Sequence, residues 1–245
     1  MVLNETKTKS MVIGTKQRIS KIDPNLAIKI NDKCIQNSEC EKLLGVLIDQ
    51  NLDFNQHIDY VCKNISSKIA LLNKIKKFLP LQTRKLYYNA YILPVMDYCL
   101  TVWGSAPKFQ IERLNKLQKR AARTILEVPP ETPSLPLFQQ LGWLNIYERL
   151  EYSKYIILYK STKNLVPGYI KDLFTFNSTD NYNSRSVTNN DMYIKRHRTK
   201  IFEKSLQYSG PRLWNSIPVS IRESNNIHQF KRKIIALLIS KRENV

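Results

Sequence analysis

The chain has 245 residues, with 39 Lys and Arg against 20 Asp and Glu, for a formal net charge of +19. Hydrophobic residues make up 42%, enough for a packed core, which excludes a wholly disordered basic tail. The longest apolar runs, such as Leu43–Ile48 and Ile234–Ile239, have six residues, far short of the ~20 that a membrane-spanning helix needs.

Residues 1–56 read as short strands and turns. Ser10–Ile13 leads to Gly14, and Leu26, Ile28 and Ile30 alternate before Asn31-Asp32-Lys33, a hairpin-type turn. Leu43–Ile48 reads as a short apolar strand. The expectation is a small antiparallel β unit, too small to be stable alone.

From Asn55 the period turns helical. Ile58, Val61, Ile65, Ile69, Leu72 and Ile75 recur at steps of three and four, with Lys63, Ser67, Lys74 and Lys77 off that stripe. Pro80 is expected to end this helix. A second helix is expected from about Gln82 with Leu86, Tyr87, Ala90 and Leu93 facing in, kinked or broken at Pro94. A third is expected over Lys108–Leu126, where Leu114, Leu117, Ala121 and Ile125 share a face. Arg113, Lys116, Arg120 and Arg123 form a basic stripe beside it. Four like charges on one face repel one another, and a bound phosphate backbone relieves that repulsion.

Pro129-Pro130 and Pro133 mark a linker, and Leu137–Leu141 a short helix closed by Gly142. Asn145 and Glu148 have capping-box spacing, predicting a long helix from Ile146 to about Lys163. Pro167-Gly168 ends that region. Residues 176–200 read as an extended polar loop, Gly210-Pro211 and Pro218 as punctuation, and Gln229–Ile239 as a terminal helix with Phe230, Ile234, Leu237 and Leu238 on one side. The fold class is therefore α+β, predominantly α-helical. Its units are residues 1–56, 57–128, 129–175 and 176–245.

Residues 58–126 carry thirteen basic against three acidic groups, and residues 181–245 thirteen against four. Two basic blocks flank a near-neutral one, and a polyanion is the natural partner, because Lys and Arg near phosphates release condensed counterions. No membrane partner is expected, since no strongly amphipathic terminal helix stands out. The first ten residues hold no apolar signal segment, and Cys34, Cys40, Cys62 and Cys99 are irregularly spaced. A reducing location inside the cell, nucleus or cytoplasm, is expected.

Catalytic motifs are not in view. No two aspartates are adjacent, and no Gly-rich phosphate loop, H-E-x-x-H or G-x-S-x-G occurs. A two-metal phosphoryl-transfer site needs several carboxylates converging on cations about 4 Å apart, so no metal site is expected.

Three ordered blocks resemble the C-terminal part of the reverse transcriptase of jockey-like non-LTR retrotransposons. Leu3-Asn4-Glu5-Thr6-Lys7-Thr8-Lys9-Ser10-Met11-Val12-Ile13-Gly14 is similar to the segment that follows the catalytic palm strands. Leu43-Leu44-Gly45-Val46-Leu47-Ile48-Asp49, then Leu52 and His57-Ile58, resembles the block that contains the primer-grip hairpin and leads into the thumb. Gly210-Pro211-Arg212-Leu213-Trp214-Asn215-Ser216-Ile217-Pro218, then Phe230-Lys231, is similar to the ending of many such polyproteins.

The resemblance implies a palm end, a helical thumb and a C-terminal region of an RNA-directed DNA polymerase. It implies a role for Lys7 as proton donor to the leaving group in the intact enzyme, and for Leu44, Gly45 and Val46 as support of the primer terminus. Lys74, Lys77, Arg113, Lys116, Arg120 and Arg123 fall in the thumb-like part as contacts to the template–primer backbone. The family's [FY]-x-D-D strand and its fingers do not occur in these residues, so Met1 reads as an internal methionine of a truncated copy. The expectation is a catalytically incomplete chain that retains no cofactor, the intact family enzyme using Mg2+. Its partners would be an RNA or DNA template–primer and the palm and fingers of the same polyprotein; the oligomeric state is left open. The alternatives are a stand-alone basic RNA- or DNA-binding module and a non-functional structural remnant.

Overall fold

The stripe beginning at Ile58 builds the first core helix. In the computed structural model, which describes residues 4, 7–22, 28–30, 33–176 and 190–243, α2 runs over Asn55–Ile75. Ile58, Ile65, Ile69 and Leu72 are fully buried, each side chain stabilising the fold by roughly 1.5–3 kcal/mol through removal from water. Upstream lie β1 (Lys9–Ser10), α1 (Lys16–Ile19), β2 (Lys29–Ile30), β3 (Lys33–Cys34), β4 (Gln36–Asn37), β5 (Cys40–Leu43) and β6 (Val46–Asp49). They form three two-stranded ladders rather than one unit, and β1 pairs with β4 in parallel. Up to residue 50 only Ile35 and Val46 are buried among the described residues. The apolar run Leu43–Ile48 is not a single strand. Its glycine lets the chain reverse, so it spans the end of β5, a turn and the start of β6. The turn expected at residues 31 and 32 and the side chain of Leu26 lie outside the described residues.

After a 3-10 turn at Lys76–Phe78, α3 (Leu81–Tyr87) passes through a wide π turn, Tyr88–Ile92, into α4 (Leu93–Asp97). Here the expected face is half right, for Tyr87 and Leu93 pack partly buried against the first core. Leu86 and Ala90 are exposed, and Tyr88, Ile92 and Met96 are buried instead. Pro94 lacks an N–H and crowds the preceding turn, and the wider π turn before it shifts the periodicity. α5 (Leu100–Trp103) and α6 (Lys108–Leu126) complete this bundle with α7 (Ser134–Leu141), which Gly142 ends at φ 68°. The bounds of α6 match those expected from its periodicity.

α8 (Ile146–Thr162) is the spine shared by two cores. Its N-terminal Ile146 belongs to the first bundle. Tyr155, Leu158 and Tyr159 belong to the second core, with Phe174, Trp214, Phe230 and Ile234. The Asn145–Glu148 capping box forms as expected. Beyond α8 come α9 (Gly168–Lys171), α10 (Lys200–Lys204), α11 (Leu206–Asn215), α12 (Val219–Arg222) and α13 (Ile227–Glu243). Pro167-Gly168 therefore opens a short helix. Gly210-Pro211 does not interrupt the chain either, for α11 runs through it. A Cβ on Gly210 would lie 3.1 Å from Leu158 and 3.3 Å from Phe174, so this glycine serves close helix packing. Among the described residues no helix is long and apolar enough to cross a membrane.

Candidate nucleic-acid interface

The block from Leu44 to Ile58 forms one mechanical unit. Leu43 pairs with Val46, leaving Leu44 (φ 47°) and Gly45 (φ 88°) as a two-residue turn with both φ positive, the geometry that matches strand twist. Leu44 carries strain that glycine does not, and its side chain is 84% exposed. The Leu44 carbonyl accepts a 2.5 Å hydrogen bond from the Tyr98 hydroxyl, and Val46 is buried in the first core. The tip is thus clamped from both sides.

Below the tip, Asp49 accepts backbone N–H bonds from Asn51 (3.0 Å), Asp53 (3.1 Å) and Phe54 (2.6 Å). These hold a loop in which Leu52 and Phe54 also take positive φ. His57 then ties α2 back to the hairpin, its Nδ1 accepting from the Leu47 N–H at 3.4 Å. Burial pushes the His57 pKa below its ordinary value, which keeps this acceptor neutral. The glycine, aspartate and histidine of the block all position the Leu44–Val46 tip on the helices.

Two cross-links fix how α2 meets α6. Gln110 donates to Asn55 at 2.6 Å, and Arg113 donates to Asp59 at 2.6 Å. Both pairs advance in the same direction, so the helices run parallel. Lys63 lies one turn beyond Asp59 on α2, and Lys116 and Arg120 lie one and two turns beyond Arg113 on α6, so all three follow the Arg113–Asp59 cross-link; they are exposed, as are Lys74 and Lys77 farther on. The hairpin adjoins the start of this row, since the Lys42 ammonium lies 5.9 Å from the ring centre of Tyr60, the neighbour of Asp59.

The four-residue stripe on α6 divides. Lys116 and Arg120 point to solvent, whereas Arg113 is paired with Asp59 and Gln110. Arg123 holds the Thr132 carbonyl through two nitrogens at 3.0 and 2.9 Å. Lys63, Tyr60 and Tyr98 join the surface, and no sequence motif marks them as members of it. Lys63 is legible as a cation off the apolar stripe of α2, but the Tyr98 bond spans 54 residues and leaves no local trace. Lys7 is exposed and makes no side-chain hydrogen bond or ion pair among the described residues. It lies two residues before Lys9, which pairs with Glu41 at 2.7 Å.

The third block is structural in its contacts. Asn215 brackets Met192, accepting from its N–H at 2.8 Å and donating to its carbonyl at 2.9 Å, while Trp214 stacks near Phe230. Arg222 pairs with Asp191 at 2.6 Å.

Four of the described aspartates are already engaged by donors. Asp49 is occupied by backbone N–H groups, and Asp59, Asp97 and Asp191 are paired with Arg113, Arg149 and Arg222. Among the described residues no three His, Cys, Asp or Glu side chains converge.

A basic helical bundle carrying a clamped hairpin is the class of structure this site defines. Comparison with known proteins gives the kinship. The chain is 26% identical over 113 residues to the probable RNA-directed DNA polymerase from transposon BS of Drosophila melanogaster, covering 44% of this chain and 12% of the relative. It is 26% identical over 105 residues to the RNA-directed DNA polymerase from the mobile element jockey of the same organism, covering 42% and 12%. With the probable RNA-directed DNA polymerase from transposon X-element it shares 26% over 127 residues, covering 50% and 13%. The matched stretches thus span about an eighth of the length of these relatives. No family model matches, and no solved structure does. About half of the chain is therefore related to a region of the reverse transcriptases of non-LTR retrotransposons.

Proposed function

We propose that this chain is the gripping part of a reverse transcriptase: it holds a template–primer duplex by its phosphate backbone inside the cell, in nucleus or cytoplasm, and is catalytically incomplete by itself. The observation that carries the reading is the parallel pair α2 and α6. It sets Lys63, Lys116 and Arg120 in one exposed row beside a hairpin tip clamped by Tyr98. Such cations contact phosphates without reading sequence, and Leu44-Gly45-Val46 is the matching position for the primer terminus. The palm and fingers of the same polyprotein are the partners that complete the enzyme and supply its Mg2+ site. Lys7 acts there as proton donor.

The test has two arms. Hydrogen exchange with an added RNA–DNA hybrid is expected to show protection along α2 and α6, and unchanged exchange there contradicts the grip. Primer extension with Mg2+ is expected to give no product, and extension by the purified chain overturns the incompleteness.

A further inference from the structure

A second cationic feature lies outside that row, in a cleft where α1, the loop after β6, α5 and the segment from Lys200 to Leu206 meet. Its main chamber holds about 550 Å3 and carries Lys16, Lys200 and Lys204. Lys204 and Ser105 also line an adjoining chamber of about 360 Å3, which adds Lys108 and Lys154. The two chambers abut at Lys204 and Ser105 and are described together as the groove. Asp53 is the one acid among its described lining residues.

None of the five lysines forms an ion pair among the described residues. Lys154 is held at 3.0 Å by the Ser209 hydroxyl, and Glu151 is the carboxylate whose field reaches it. Lysines gathered along these two chambers, with Asp53 and Glu151 the acids beside them, repel one another, and a line of phosphates relieves this. The floor is apolar, built by Leu52, Val102 and Leu206 with Phe54 beneath. Chambers of this size take a small organic molecule, so there is room for individual nucleobases but not for a duplex.

We propose that this groove is a single-strand site, in which bases of an RNA or DNA strand rest on the apolar floor and its phosphates meet Lys16, Lys200 and Lys204. Single-strand sites pair a cationic track with side chains on which base faces rest and read no sequence; aromatic rings usually serve, and here the surface is the aliphatic Leu52, Val102 and Leu206. Lys108 and Arg120 are twelve residues apart on α6, about 18 Å along the helix and about a third of a turn around it, so a strand leaving the duplex row and rounding α6 reaches the groove within several nucleotides. The inference rests on the groove's own geometry, and only the path from the duplex row rests on the proposed function.

The test compares two exposed-residue variants with two probes, a short oligo(dT) and a short RNA–DNA hybrid, by fluorescence anisotropy across a salt series. In the K16A/K200A/K204A variant, oligo(dT) affinity is expected to fall about tenfold near 100 mM salt. The log–log salt slope is expected to shrink by about 2, at ~0.7 for each phosphate no longer neutralised, with hybrid affinity unchanged. K116A/R120A is expected to do the reverse. Wild-type chain that does not bind oligo(dT), a triple variant that binds it with unchanged slope, or one that loses both probes equally overturns the single-strand site. Loss of hybrid binding in K116A/R120A is read separately and bears only on the duplex row.

Discussion

The Nδ1 of His57 accepts the backbone N–H of Leu47 at 3.4 Å, joining the first turn of a 21-residue helix to the strand that carries the hairpin tip. The bond requires a neutral imidazole, because a protonated ring has no acceptor.

This bond has a pH signature. Burial lowers the His57 pKa from its ordinary 6.5, so the unfolded chain binds more protons than the folded one in the window below that value. The contribution is fully present above about pH 6.5 and is lost as pH falls, with a slope of at most about 1.4 kcal/mol per pH unit for one proton. Urea midpoints of wild type and His57→Gln, compared between pH 7 and pH 5, are expected to converge on acidification. Parallel curves contradict the assignment.

Asp49 stabilises the loop beneath the hairpin through three N–H bonds. Asp49→Ala leaves those donors without a partner and is expected to destabilise the chain by about 2–3 kcal/mol, with Asp49→Asn recovering part of it. Equilibrium urea unfolding measures both. An Asp49→Ala variant as stable as wild type shows that water replaces the carboxylate.

Arg242 reaches back from α13 to the capping box of α8, pairing with Glu148 and donating to the Trp143 carbonyl at 3.0 Å. Both partners are mostly buried, with side chains 8% and 14% exposed, and Glu148 also accepts from the Asn145 N–H. Arg242→Ala strands a buried carboxylate and is expected to cost about 3–5 kcal/mol. A thermal-shift loss no larger than that of an exposed lysine variant contradicts this closure.

Much of this architecture is written locally. The stripe of α2, the span of α6 and the Asn145–Glu148 box depend on residues within one or two turns of each other, and each forms as read. The failures come where a distant residue or a change of period decides. Around the π turn before Pro94 the buried positions are Arg84, Tyr88, Ile92 and Met96, at steps of four, and Leu86 and Ala90 face outward. Gly210-Pro211 looks like a break until Leu158 and Phe174 are seen to press on the glycine. On the candidate surface, Lys116 and Arg120 face solvent, with Glu112 the acid that feels the Lys116 charge. Arg113 is drawn off by Asp59, 54 residues away, and Arg123 by a backbone carbonyl. Side-chain periodicity shows which face a cation occupies and is silent about which acid waits across the bundle. The groove of lysines is harder still, since it assembles from α1, α6, α8 and α10.

The hairpin tip gives a further check. A side chain at Gly45 adopts φ +88° at a cost, and its Cβ would meet the Tyr98 ring at 3.4 Å. Gly45→Val is expected to destabilise by more than about 1 kcal/mol and to weaken the Tyr98–Leu44 bond. Tyr98→Phe is expected to cost about 1 kcal/mol by removing that bond alone. Denaturant midpoints of the two single variants and the double variant are expected to be less than additive, because both act on one clamp. Full additivity contradicts the clamp.

The grip itself is tested most directly by the salt dependence of hybrid binding in wild type and K116A/R120A. Removing a cation that neutralises a phosphate is expected to reduce the log–log slope by about 0.9 if the bound form behaves as a duplex. A grip through Lys116 and Arg120 predicts a slope smaller by about 2 in the double variant, with weaker binding to every duplex sequence alike. An unchanged slope, with both residues replaced and the fold intact, would show that the α2–α6 row does not hold the phosphate backbone.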